Sequence, residues 1–196
     1  MYRPGRGLTL RSTGRATAFV ARSSFHCGPA AARCRTPVSF TLGIAVTLVE
    51  RLSSLARVFR GEGLNHEQEQ FAAEMRIEPL VDGRAVLLRY RATLLDGSVA
   101  HEECTLLGVG PDGNLCLWPV MSELPTVLPH MHQPAPAVGT DQFTFASGLR
   151  GDLSCFREEI TIELGVDESL TYSHAWGMPG DAFAPRSSAR MLPVDA

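Results

Sequence analysis

Three Asp-Gly dipeptides stand at nearly equal intervals in the middle of the chain: Asp82-Gly83, Asp96-Gly97 and Asp112-Gly113. Asp-Gly tolerates the positive φ angles of a tight hairpin turn, so it is a strong local signal for a hairpin. Alternating apolar, β-branched or aromatic residues flank each dipeptide, as in strands with one buried face. The spacing therefore predicts a meander of long antiparallel strands, which is typical of a β-barrel or a β-sandwich.

Two-residue turns at the first two dipeptides would decide which residues share a face of the meander. The inward-facing sets are then Phe71, Leu94 and Val99; Ala73, Ala92 and His101; Met75, Tyr90 and Glu103; and Ile77, Leu88 and Thr105. The opposite face gains a charge-alternating set of Glu74, Arg91 and Glu102. The type of the third turn stays undecided, because a longer loop at Asp112-Gly113 would shift the register of the next strand by one residue.

Further alternating runs continue the pattern. Residues 154–164 and 169–176 should pair so that Ile162 faces Tyr172, Ile160 faces His174 and Glu158 faces Trp176. Shorter strands are expected at residues 58–63, 141–148 and 187–194. The sequence thus predicts an all-β, antiparallel, up-and-down β-barrel of about eight to ten strands, enough to close around a small ligand. Five prolines within residues 119–136 predict a lid or an irregular crossing there.

Charge divides the chain into two parts. Residues 1–49 contain seven Arg and no acidic residue, whereas residues 50–196 contain eleven Arg and 21 acidic residues. The acidic second part argues against nucleic-acid binding. The lack of apolar periodicity in residues 1–46 predicts a disordered, Arg-rich N-terminal extension. Residues 47–196 form the predicted barrel domain. A short helix at residues 46–58 opens that domain.

Three explanations stay open for residues 1–46: a translation start assigned too early, a targeting leader, or a true disordered arm. Five cysteines without C-x-x-C spacing predict free thiols and a cytoplasmic location. No run of 18 apolar residues occurs, so the sequence predicts no membrane-spanning helix.

Deleting residues 1–45 is expected to leave the melting temperature within about 2 °C, because such a segment contributes no core surface. Thermal denaturation followed by circular dichroism measures this. Loss of soluble protein on deletion would show that the extension is structural.

Three short motifs resemble those of the calycin group, the lipocalin-like and fatty-acid-binding-protein-like barrels. They are a G-x-G first strand (Phe59 to Gly63), the mid-chain Asp-Gly meander, and a late run of Thr171-Tyr172-Ser173-His174 followed by Pro179-Gly180. The pattern covers about residues 47–194 and is similar to that of small bacterial proteins of this group, although Phe59 stands where lipocalins have Trp. The resemblance implies a barrel with an internal cavity, and a late-strand histidine, here His174, as haem ligand if haem is bound.

Six polar side chains fall inside the predicted barrel: Tyr90, His101, Glu103, Glu158, Tyr172 and His174. Buried carboxylates and imidazoles are costly unless they are paired, so these groups must bond to one another, to water or to a ligand. The main hypothesis is a barrel that binds a small, partly apolar ligand through these six residues. No cofactor is specified.

Alternatives remain open. A self-satisfied polar network needs no ligand, and the same His, Glu and Tyr side chains would suit a small-molecule isomerase, decarboxylase or cyclase. A haem-binding barrel, and a scaffold or interaction protein that forms a homodimer, are further alternatives. His130 and His132 are expected to be exposed loop histidines without an acidic or Cys partner, so no metal site is predicted. Trp118 and Trp176 are expected in the core.

Overall fold

The computed structural model describes residues 41–55, 57–134 and 141–194, with the side chains of residues 41–47 left out. Helix α1 (Thr41–Leu55) is followed by ten strands within these ranges: β1 (Val58–Asn65), β2 (Gln70–Leu80), β3 (Ala85–Leu94), β4 (Val99–Val109), β5 (Leu115–Met121), β6 (His130–Gln133), β7 (Gln142–Ser147), β8 (Arg157–Leu164), β9 (Leu170–Gly177) and β10 (Ala184–Val194). Each strand pairs antiparallel with the next, and β10 pairs with β1. The predicted closed, all-β, up-and-down barrel with a short N-terminal helix is confirmed.

Helix α1 differs from its predicted position. It begins at Thr41, five residues before the predicted start, and ends at Leu55, so Val58 opens β1 instead of ending the helix. Residues 1–40 of the predicted extension lie outside the described residues. Because deleting residues 1–45 would also remove the first five residues of α1, a cut before Thr41 tests the extension without touching the helix.

The β2–β3 hairpin has the predicted register. Ala73 faces Ala92 and Met75 faces Tyr90 across it. Asp82 and Gly83 have φ angles of 56° and 78°, as a two-residue turn with two left-handed positions requires. On the outer face Arg76 lies opposite Arg89, and each guanidinium binds a neighbouring carboxylate, Glu74 or Glu78, which offsets the repulsion.

The β3–β4 hairpin reaches its predicted register by a different route. The loop has three residues, because the Gly97 N–H donates to Leu94 O and Leu94 N–H donates to Ser98 O; only Gly97 has a positive φ. This loop shifts the pairing by one residue, so Thr93 faces Val99. A bulge at residue 100 then restores the alignment, and Ala92 faces His101 as predicted.

One inner-set prediction is wrong near this turn. Val99 does not share a set with Phe71 and Leu94, and it is 43% exposed. The bulge is the reason, since it exchanges the faces of the residues between the turn and His101. The third dipeptide also takes the longer loop: the Gly110 N–H donates to Asn114 O, and Gly113 has a φ of 80°.

The proline-rich segment is only partly irregular. Pro119 lies in β5, opposite Thr105 of β4, and β6 starts at His130. Pro119 is tolerated because the short β6 pairs only with Cys116 and Leu117, which leaves the end of β5 without a neighbour on that side. The prediction of a crossing therefore holds for residues 122–129 and is wrong for the two strand segments beside them.

The two ends of the barrel differ. Helix α1 covers the end that carries the β2–β3, β4–β5 and β8–β9 loops; its Leu48 and Leu52 are fully buried in the core. Arg51 binds both carboxylate oxygens of Asp141 just before β7 and so fixes the helix to this end. No helix in the described ranges is long and apolar enough to cross a bilayer. The opposite end carries the β1–β2, β3–β4, β5–β6, β7–β8 and β9–β10 loops.

Candidate functional site

A cavity of about 340 Å³ enters the barrel at the end opposite α1. Its rim includes the exposed residues His66, Ala100 and Met178. Its apolar wall is formed by Phe71, Met121, Leu124, Phe156 and Trp176, and its polar lining includes His101, Glu158 and His174. The volume is at the lower end of the range for small-molecule sites. Trp176 is half-buried beside this cavity and Trp118 is half-buried on β5, so the prediction that both lie in the core is wrong.

Glu103 on β4 lies at the centre of the polar network and is 2% exposed. Its Oε1 accepts hydrogen bonds from the Tyr172 hydroxyl at 2.7 Å and from the Thr105 hydroxyl. Its Oε2 lies 3.2 Å from His101 Nε2 and 3.4 Å from His174 Nε2. Because β4 and β9 are not neighbours in the sheet, the contacts with Tyr172 and His174 cross the barrel interior.

Glu158 on β8 contacts His174 from its other side and a further histidine, His130. Its Oε1 lies 3.2 Å from His174 Nδ1, and its Oε2 lies 3.1 Å from His130 Nε2. The other ring nitrogen of His130, Nδ1, lies 2.8 Å from Leu128 O. Both His130 nitrogens thus face acceptor oxygens.

His101 connects the buried network to the solvent. Its ring is 20% exposed, with Nδ1 2.8 Å from Glu123 Oε2 at the rim and Nε2 3.2 Å from Glu103 Oε2 inside. Its ring centre lies 5.8 Å from that of Tyr90 and 5.2 Å from that of His174. The polar groups therefore form a continuous path from the rim to the buried His130.

The network alters the acidity of its members. Burial, the largest influence, raises the pKa of Glu158, but hydrogen bonds from His130 and His174 outweigh it and lower that pKa to about 2. The pKa of Glu103 is likewise lowered against the effect of burial, by His101, His174 and its hydroxyl donors. Burial lowers the pKa of His101, yet Glu103 and Glu123 raise it by more. Burial and the nearby Glu103 raise the pKa of Tyr172 and of Tyr90.

All six predicted site residues lie inside the barrel and close to one another. Five are buried, and His101 is half-buried. Their part in ligand binding stays a prediction, as do the homodimer and the cytoplasmic location. Among the described cysteines, Cys104, Cys116 and Cys155 are free.

His130 was mispredicted. It is fully buried and bonded to Glu158, not exposed on a loop, and His132 packs against Phe145 with ring centres 5.4 Å apart. The prolines around residue 130 led to the prediction of an irregular segment there, although residues 130–133 form β6. The pairing of β6 with β5 turns His130 inward. Glu123 was also missed, because it follows the end of β5 and no alternation marks it.

Arg157 is a further residue that no sequence signal revealed. It is fully buried, and its guanidinium donates to the carbonyl oxygens of Arg150, Cys155, Gly177, Met178 and Asp181. These carbonyls belong to the segments around the β7–β8 and β9–β10 loops, which carry Phe156 of the cavity wall and Met178 of its rim. Arg157 thus fixes the loops at the open end.

Haem does not fit the surroundings of His174. Its Nδ1 faces Glu158, and on the Nε2 side the Glu103 carboxylate stands 3.4 Å away. The rings of Tyr172 and His101 lie with their centres 5.2 Å from that of His174. A flat macrocycle bound through Nε2 would have to occupy the space that these three side chains fill.

Comparison with solved structures supports the fold. Rv2717c from M. tuberculosis superimposes with a TM-score of 0.55 at 15% sequence identity, covering 75% of this chain and 97% of that one. A redesigned β-barrel (TM-score 0.39, 9% identity, 74% of this chain and 96% of that one) and EF1p2_mFAP2b bound to DFHBI (TM-score 0.39, 10% identity, 74% and 99%) are more distant. No family model and no curated protein matches the sequence. At 15% identity the likeness to Rv2717c extends to the barrel alone.

Proposed function

We propose that this chain binds a small, partly apolar molecule in the open-ended cavity, with the polar end of the molecule at His101 and His174. One observation carries the proposal: an accessible cavity with apolar walls ends on a buried network of histidines and carboxylates. Sites for small molecules commonly combine apolar walls with a few fixed polar groups that orient the ligand.

Small residues and rigid rings give the cavity its shape. Ala73 and Ala92 face each other across β2 and β3 beside His101, and their short side chains leave room above the network. At the mouth, the Arg186 guanidinium lies over the Trp176 ring, 4.1 Å from its centroid, and Arg186 Nε donates to Trp176 O. These contacts hold the entrance in one shape, which lowers the ordering cost of binding.

Ala92→Leu is expected to weaken binding by about 1–3 kcal/mol, about a 5- to 150-fold higher Kd, because the larger side chain occupies the cavity. The retained ligand is identified by native mass spectrometry and an absorption spectrum of protein purified without refolding. Titration with that ligand, or with an environment-sensitive apolar fluorophore, gives the Kd. Ala72→Leu is the matched control, since Ala72 is exposed on the outer face of β2.

His101→Ala tests the polar end of the same site. Loss of one buried hydrogen bond should weaken ligand binding by about 1–3 kcal/mol. Wild-type affinity in both Ala92→Leu and His101→Ala would contradict a ligand in this cavity. So would wild-type protein that retains no ligand and binds no probe.

A proton-transfer enzyme, such as an isomerase, is the second candidate function. It is favoured by the His101–Glu103 contact of 3.2 Å beside the cavity, since a histidine supported by a carboxylate suits general acid–base chemistry. Incubating the recovered ligand with the protein in D₂O and measuring its mass separates the two functions. Deuterium taken up at a carbon position would show catalysis, and an unchanged mass would leave binding alone.

A further inference from the structure

Three ligand atoms converge inside the barrel. One ligand atom from each of His101, Glu103 and His174 lies within 4.8 Å of the other two. Glu103 Oε2 lies 3.2 Å from His101 Nε2 and 3.4 Å from His174 Nε2. Two ligands of a tetrahedral ion, each about 2.1 Å from it, lie about 3.4 Å apart. The two measured separations thus match the edges of a metal coordination polyhedron.

The remaining polar atoms of these side chains are already engaged. His101 Nδ1 faces Glu123 Oε2 at 2.8 Å, and His174 Nδ1 faces Glu158 Oε1 at 3.2 Å. Metal-binding histidines typically donate their second N–H to a carboxylate, which fixes the tautomer and turns the free nitrogen to the ion. Glu103 Oε1 is held by the Tyr172 and Thr105 hydroxyls, so Oε2 is directed to the same point.

His174 Nε2 provides an independent observation. The side chain is 6% exposed, and this nitrogen is buried without a hydrogen-bond partner in the described part of the chain. Its 3.4 Å approach to Glu103 Oε2 does not have the geometry of a hydrogen bond. An unbonded polar atom in a barrel interior is costly, and a coordinated ion would satisfy it.

We propose that His101, Glu103 and His174 form a binding site for a divalent first-row transition-metal ion, of the Zn²⁺ or Fe²⁺ kind. Two imidazoles and one carboxylate are the donor set that such ions take when a coordination position is left free. His101 and His174 both line the cavity, so that free position faces the space open to small molecules. This inference does not rest on the proposed ligand, because the ion alone tests it.

The competing explanation is a network held together by protons alone. It accounts for the His101–Glu103 contact, which has hydrogen-bond geometry. It leaves His174 Nε2 without a partner, and it gives no reason why both Nδ1 atoms are occupied by carboxylates while both Nε2 atoms point to one oxygen. The metal site accounts for all three features.

Titration of metal-free, tag-free, full-length protein with Co²⁺ tests the proposal. We expect one ion per chain with visible d–d absorption, and displacement of Co²⁺ by Zn²⁺. His174→Ala should weaken Co²⁺ binding by about 100-fold or more, since even changes to second-shell partners typically cost 10- to 100-fold. His132→Ala is the matched control, because His132 is half-buried and is not part of the cluster. This variant should bind Co²⁺ as the wild-type protein does.

X-ray absorption spectroscopy of the wild-type Zn²⁺ complex needs no variant and covers the case in which His174→Ala does not fold. Two imidazoles and oxygen ligands in the first shell support the site. The absence of one-to-one binding, equal affinities in the two histidine variants, or a first shell without two imidazoles would overturn it. Co²⁺ binding by protein that retains no organic ligand and binds no probe would defeat only the proposed function, and ligand binding without one-to-one Co²⁺ binding would defeat only the metal site.

Discussion

Replacing Arg157 by Met should lower the free energy of unfolding by about 3–5 kcal/mol, because the variant removes the donor to five backbone carbonyls, one of them buried and four part-buried. Arg157 is fully buried and donates to five backbone carbonyls near the open end of the barrel. Methionine fills much of the same volume but donates no hydrogen bond. The loss therefore comes from unsatisfied oxygens and not from a cavity.

Two glycines show how closely the fold is built around this guanidinium. A Cβ at Gly177 would lie 2.9 Å from Arg157 Nη2, and a Cβ at Gly148 would lie 3.0 Å from Arg157 Cβ. Gly148 also has a φ of 81°, which other residues rarely adopt. The absence of a side chain at Gly148 and at Gly177 thus leaves the space that Arg157 occupies, which is consistent with a structural role for its buried charge.

Urea denaturation of Arg157→Met and of the control Arg190→Met measures the effect. Arg190 and its partner Asp167 are both exposed at the surface, where an ion pair is worth about 1 kcal/mol or less. For a chain of this size, a loss of 3–5 kcal/mol lowers the melting temperature by roughly 6–20 °C. Similar losses in the two variants would show that these carbonyls find water instead.

The barrel was predictable because its strands obey local rules. The turn at Asp82-Gly83 and the alternation of β2, β8 and β9 specify a register that the structure confirms, down to Ile160 opposite His174. The inward position of His101 was predicted from a two-residue turn that does not exist. It holds because a three-residue loop and a bulge cancel each other, and neither is visible in the pattern of apolar residues.

The site was less predictable than the fold because its partners come from irregular segments. Glu123 lies beyond the end of β5, and His130 opens a four-residue strand among prolines. Alternation reports only which face a strand residue takes, so it placed Glu103 and His174 inside without showing that they meet across the barrel. Burial of Arg157 depends on carbonyls brought together by two loops, and no residue pattern encodes that.

Glu158→Gln is expected to lower the free energy of unfolding by about 3–5 kcal/mol at pH 7, because it removes a buried carboxylate that two histidines contact. The Glu158 carboxylate is 3% exposed and accepts from both His130 and His174. A glutamine amide keeps one acceptor oxygen, and its NH₂ group turns a donor to the second histidine, where an acceptor is needed. Glu159→Gln on the same strand is the control, since Glu159 faces outward and binds the exposed Arg150.

A double-mutant cycle shows whether the loss arises from the histidine contact. His130→Gln and Glu158→Gln should couple by about 0.5–3 kcal/mol, because each single change leaves the partner of a 3.1 Å contact unsatisfied. His130→Gln combined with Glu159→Gln should instead be additive to within about 0.5 kcal/mol, since His130 has no hydrogen bond to Glu159 among those of the described residues. Equal coupling in the two cycles would mean that Glu158 stabilises the barrel through general charge and not through the buried contact. Coupling confined to the first cycle would establish that the histidines and Glu158 act as one unit beneath the cavity.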